Sequence, residues 1–247
     1  MEHPLNSSEQ LARYLLRPGL APQPSETSLP DAASFSEFVQ RHKLPLDEII
    51  AVNGLARDVL LDAPCLRDVL SADRERHRKV CQEFVEFREA LDRDGIPHLL
   101  VKGVYSVPYR SDNIDILIPD SAIAQAGKIL EGLGYIYNKF SYDRYKLLYN
   151  RLEGTRITGT MHLHRLVGWY SPFIAARDLF SGAIDGAEAG ARLPRPEVSL
   201  AIIAAHALYE DARIRLIDMH KIMTVLRRGD VDWSLVWRLA EHGGFAA

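Results

Sequence analysis

The sequence has little of what would settle its class at once. Only two of its 247 residues are cysteine, Cys65 and Cys81. Both fall in stretches that read as helix, so they form no disulfide framework and are expected as small, buried apolar side chains. No apolar run approaches the roughly 20 residues needed to cross a bilayer, and Met1-Glu2-His3-Pro4 lacks the charged-then-apolar order of a secretion signal. The expectation is a cytoplasmic protein with no membrane partner. Charge of either sign is not in excess. The 30 basic and 33 acidic residues leave a formal net charge of −3, so no global field draws nucleic acid. Phosphate-loop, nucleophile-elbow, His-Glu-x-x-His and Cys-x-x-Cys motifs are all missing, which argues against P-loop kinases and covalent hydrolases.

What is present is an ordinary globular composition, 47% hydrophobic and 26% charged, in a chain long enough for one large domain or a compact core with a helical extension. Residues 1–33 read as an arm, with a short helix over Ser8–Arg17 and then Pro18, Pro22, Pro24 and Pro30. Residues 34–95 read as helical. Ser34 or Ser36 would cap a helix through His42, Pro45–Asn53 would form another stopped by Gly54, and Ala56–Asp94 would run to Gly95. In that last stretch Val80, Phe84 and Phe87 recur at helical spacing, and Arg74, Glu75, Arg76, Arg78 and Lys79 fall on a solvated face.

Residues 96–170 switch to strand length and β-branched content. The predicted elements are strands His98–Val101 and Asn113–Ile118, a helix over Ser121–Leu133 ended by Gly134, and a strand over Tyr135–Lys139. Strands Arg144–Asn150 and Arg156–Leu166 would then flank a hairpin-like turn at Leu152-Glu153-Gly154-Thr155. Residues 171–247 return to helices over Glu197–Tyr209, Arg213–Arg228 and Trp233–His242, with Trp233 and Trp237 expected in the core. The fold class is α+β: a small mixed sheet between N-terminal and C-terminal helical segments.

The chemistry concentrates between Gly95 and Pro119. The first strand ends in Lys102-Gly103, where a glycine lets backbone approach a phosphate. On the second strand Asn113 and Asp115 stand two apart and leave the same face, a polar pair among Ile and Leu that must be satisfied by something. His162 and His164 likewise share a face of a later strand. An Asp115, His162, His164 set would suit zinc, iron or manganese. Near the C-terminus, His206 with Glu210 and Asp211 with Arg215 are helix-spaced pairs, and Asp218 and His220 follow.

Leu99-Leu-Val-Lys-Gly103, then Ile114-Asp-Ile-Leu-Ile118, a helix ending Gly132-Leu-Gly-Tyr135, and Leu163-His-Arg-Leu166 resemble, in order and spacing, the bacterial uncharacterised nucleotidyltransferase family. That family lies within the superfamily of DNA polymerase β and the aminoglycoside nucleotidyltransferases, and the similarity runs from about Phe35 to the C-terminus. The resemblance implies transfer of a nucleoside monophosphate from an NTP to a small-molecule or peptide acceptor, dependent on Mg2+. It implies that Lys102, Gly103 and Arg110 hold the nucleotide, that Asp115 holds metal with Asn113 or, if the backbone bulges there, Asp112, and that His164, His206 and Asp218 wall the acceptor site. Three departures stand out. Asn113 occupies the position of the first paired acid, His162 that of the third acid, and the linker Val104–Asp112 is short. His162 would then serve as the acceptor's base. Alternatively the chain is a degenerate member that binds a nucleotide or partner without turnover, or a metal-dependent enzyme built on the Asp/His set.

Overall fold

The computed structural model describes residues 32–47, 64–102, 113–141, 143–168, 174, 176–186, 189–210, 214–227 and 229–243. The expected helices over Ser8–Arg17 and the end of Pro45–Asn53 lie outside them. The described residues divide into two compact units, 32–47 with 64–77, and 78 onward.

In the first unit, helix α1 (Ala32–His42) begins before either expected serine cap. Ser36 therefore sits inside the helix, where its hydroxyl accepts a hydrogen bond from Gln40 Nε2 at 3.2 Å. Val39, Leu44, Leu46, Leu66 and Leu70 are buried. Arg74 Nε donates to Asp47 Oδ2 at 2.7 Å, a long-range ion pair on the face read as solvated.

Helix α2 (Pro64–Arg93) belongs to the second unit from Arg78 onward. Its sequence pattern holds: Val80, Phe84, Phe87 and Leu91 are buried, and positive-φ Gly95 follows its end. Five strands form a mixed sheet, namely β1 (Leu99–Lys102), β2 (Ile114–Leu117), β3 (Tyr135–Tyr137), β4 (Lys146–Glu153) and β5 (Arg156–His164). Their spatial order is β1-β2-β5-β4-β3. β2 and β5 are parallel, and the other neighbours are antiparallel. A 3-10 turn (Asp120–Ala122) and helix α3 (Ile123–Gly132) connect β2 to β3.

Alternation along the strands sorts the side chains into two layers. Leu100, Ile114, Ile116, Met161 and Leu163 pack with Phe84, Phe87 and Leu130 on one face. Gly159 permits a close approach on that side, because a Cβ there would stand 2.7 Å from a carboxylate oxygen of buried Glu83. Leu99 and Leu117 turn to the other face and pack with Val167, Ile174, Leu179, Val198, Ala201 and Leu239. That second layer comes from α4 (Ala176–Phe180), α5 (Pro196–Ala205) and α7 (Trp233–Gly243), with a two-stranded ribbon of β6 (Ile184–Asp185) and β7 (Arg192–Leu193) between the first two. One wide π-helical turn (His206–Glu210) extends α5, and α6 (Leu216–Leu226) packs on α5. Buried Glu197 ties the starts of α5 and α7 together, accepting from Arg195 Nε at 2.8 Å and from the Asp232 amide at 2.9 Å.

The fold is α+β, as the pattern predicts. One expectation fails. Trp233 and Trp237 are not in the core but 61% and 58% exposed. The inward face of α7 is carried by Leu239 and Ala240, and Trp237 lies along the surface with its indole N–H donating to Glu241 at 2.9 Å. Cys65 and Cys81 are free thiols, partly buried.

The contrast gives a prediction. Phe84→Ala should lower stability by about 3–5 kcal/mol, as for a large buried aromatic. Trp237→Ala should cost under about 1 kcal/mol, as at exposed positions. Urea unfolding monitored by circular dichroism reads both, and equal losses would contradict this assignment of the core.

Candidate functional site

Period 2 places Asp115 on the helical side of the sheet, between two residues that face the other core. The parallel register sets Asp115 opposite His162 and Leu117 opposite His164. Both imidazoles thus emerge beside the carboxylate on its own face. His162 Nδ1 lies 3.0 Å from Asp115 Oδ1, and His164 Nε2 lies 2.7 Å from the same oxygen. Asn113 joins through its amide, with Nδ2 2.8 Å from His162 Nδ1.

Lys102 reaches this face by an irregularity. Leu100 pairs with Ile116 and Lys102 with Asp115, so Val101 is an extra residue in the β1 register. A bulge of this kind turns the following side chain to the opposite face. It brings Lys102 Nζ to 3.8 Å from Asp115 Oδ2 and 3.3 Å from His206 Nε2, at the start of the π-helical turn.

Asp115 is 5% exposed, and Oδ2 is buried without a hydrogen-bond partner. Burial acts to raise its pKa. The charge of Lys102, the hydrogen bonds from His162 and His164 and the charge of His164 outweigh it, and hold the carboxyl well below the usual carboxylate range. His164 Nδ1 is also buried without a partner.

The group lines a cleft of about 70 Å³ that opens to solvent. Val101, Val167, Ile202 and Ile203 form its apolar wall, and Lys146, Lys221, His206 and Asp218 add polar groups. Asp218 is already engaged: its Oδ2 accepts from the Arg215 amide at 2.9 Å at the start of α6, and Lys221 Nζ stands 3.6 Å from Oδ1. Lys146, opposite His164 in the β4–β5 register, lies 3.5 Å from Asp143.

Of the residues singled out from sequence, Asn113, Asp115, His162, His164, Lys102, His206 and Asp218 all line one cleft. Gly103, Arg110 and Asp112 lie outside the described residues, as do Asp211 and the side chain of Glu210, the expected helix partners of Arg215 and His206. Sequence reasoning missed Lys146 and Lys221. Lys221 was within reach, three residues after Asp218 and so on the same helix face. Lys146 depended on strand register. Asp115, His162 and His164 each offer a ligand atom within 4.8 Å of the others, with no ion present.

The sheet thus sets an acid, two imidazoles and a strand-end lysine at the wall of one cleft. The chain belongs to the uncharacterised nucleotidyltransferase family, whose model matches residues 63–247. No curated protein matches it in sequence. Among solved structures it is similar to a crystal structure of ANT(2")-Ia in complex with adenylyl-2"-tobramycin. The two are 16% identical over 66% of this chain and 96% of that one, with a TM-score of 0.47. It is also similar to the solution structure of ANT(2'')-Ia, at 15% identity over 66% of this chain and 89% of that one, with a TM-score of 0.44.

The electrostatics yield a pH prediction. A depressed folded-state pKa means that ionised Asp115 stabilises the fold above its unfolded value of about 3.9, and that this contribution is lost as pH falls below it. Between pH 5 and pH 2.5 the urea midpoint of the parent should therefore fall further than that of Asp115→Asn. Parallel curves would show that the carboxyl is not held ionised.

Proposed function

We propose that the cleft transfers a nucleoside monophosphate from an NTP to a small-molecule or peptide acceptor. The observation that carries this is the meeting of Lys102 and Asp115 at the cleft wall in a chain of nucleotidyltransferase descent. Phosphoryl and nucleotidyl transfers need little covalent help, so positioning and charge neutralisation supply most of the acceleration. Here Lys102 meets the polyphosphate. An acceptor oxygen or nitrogen attacks the α-phosphorus, the bond to the α–β bridging oxygen breaks, and pyrophosphate leaves with its electron pair. The acceptor's proton passes to His162, whose imidazole serves as the base. His206 and Asp218 wall the acceptor side, and the apolar patch of Val101, Ile202 and Ile203 would take a base or an acceptor's apolar portion.

This reaction class implies a divalent cation. Magnesium asks for hard oxygen ligands in near-octahedral array. The described donors at Asp115 are one carboxylate, two imidazoles and an amide. That set does not fit magnesium, and it also sustains a second reading, a member that binds nucleotide without turnover, because Asn113 and His162 bring no fixed negative charge.

Nucleotide binding is the first test. An NTP at millimolar concentration should raise the melting temperature, as any ligand selective for the folded state does. Lys102→Ala should weaken binding by about 10- to 100-fold, the worth of one hydrogen bond to a charged group. No shift with any of the four common NTPs would defeat both the transferase and the nucleotide-binder readings.

A further inference from the structure

The carboxylate and two imidazoles form an arrangement with its own chemistry. Asp115 Oδ1, His162 Nδ1 and His164 Nε2 come from adjacent parallel strands, and two of the three separations are 3.0 and 2.7 Å. A zinc-like ion with ligands at 2.0–2.1 Å keeps tetrahedral neighbours about 3.3 Å apart. The two short separations widen by a few tenths of an ångström, and the imidazole nitrogens, within 4.8 Å of each other, settle to the same spacing, as the trio closes on such an ion. The second carboxylate oxygen, Oδ2, is buried with no hydrogen bond and only the Lys102 ammonium at 3.8 Å, a cost that a metal held by both carboxylate oxygens lowers. Both imidazoles and the acid stand at the cleft wall, so positions opposite the protein ligands are open to solvent or substrate.

We propose that Asp115, His162 and His164 form a binding site for a first-row transition-metal dication of the zinc and manganese class, in preference to magnesium. Imidazole nitrogen suits such borderline ions, and a three-ligand site with open positions is the form that catalytic zinc takes. The inference rests on the nucleotidyl-transfer reading only for the site's purpose, and its binding test stands apart from activity. It gives His162 the role of ligand in place of the acceptor's base. Asn113 Nδ2 lies 2.8 Å from the same Nδ1, so its amide gives way when the ion takes that nitrogen. Lys102 opposes the ion electrostatically, since its ammonium stands 3.8 Å from Asp115 Oδ2, on the oxygen that the imidazoles do not touch.

The test is metal binding by the full chain, stripped with a chelator and then titrated with Zn2+, Co2+ or Mg2+ by calorimetry, with Co2+ also followed by its visible absorption. One equivalent of Zn2+ or Co2+ should bind per chain, with Mg2+ binding far more weakly. His162→Ala and His164→Ala should each weaken binding by more than about 100-fold, beyond the 10- to 100-fold of losing an outer partner. Lys102→Gln should tighten it. His220→Ala, outside the cluster, should leave it unchanged, and circular dichroism confirms that each variant folds. Mg2+ binding ahead of Zn2+ and Co2+, or transition-metal binding indifferent to both histidines, overturns the site. Metal binding with no nucleotide binding leaves the site standing and removes the transferase reading; nucleotide transfer without transition-metal binding does the reverse.

Discussion

The arrangement of the cleft depends on one buried carboxylate. Taking an ionised Asp out of water costs several kcal/mol unless charge and hydrogen bonds replace the lost hydration. At Asp115 two imidazoles share one oxygen and a lysine stands near the other. Each partner is delivered by a different backbone device. The parallel β2–β5 register supplies the histidines, and the extra residue at Val101 supplies Lys102. The helical layer over Leu99 and Leu117 closes the same face and leaves the cleft open beside the charges.

Much of this was legible beforehand. The β-branched run Ile114–Ile118 and the spacing of Asn113, Asp115, His162 and His164 indicated shared strand faces, because period 2 is a property of the chain alone. The helix running to Asp94 was equally plain: Val80, Phe84 and Phe87 are buried as their spacing indicated, with Val85 and Ala90 partly so. The meeting of the two strands was not legible, since pairing and direction arise from tertiary packing. The bulge that turns Lys102 toward Asp115 left no local signal, as no glycine marks it.

Two other features show why composition misleads. Trp233 and Trp237 have helical spacing and large apolar area, yet α7 packs on α5, buries smaller Leu239 and Ala240 and lays the indoles outward. Helical spacing fixes which residues share a face, but not which face turns inward. The family resemblance marked Asp218 as a site residue. Its carboxylate serves the first turn of α6 and the Lys221 ammonium while still reaching the cleft. A side chain can hold the scaffold and line the site at once, and sequence does not separate those duties.

The departures from the family pattern acquire a physical sense around Asp115. An amide at 113 and an imidazole at 162 stand where fixed negative charge is expected, shifting the centre from hard oxygen toward nitrogen ligation. The central claim is that this centre still moves a nucleotide. Transfer of label from α-phosphorus-labelled NTP into a pool of small-molecule and peptide acceptors, with zinc or manganese present, measures it directly. The account predicts labelled product with equimolar pyrophosphate from the parent chain, and neither from Asp115→Asn. Equal label transfer by the two proteins, or none from the parent with any NTP and either metal, would contradict it.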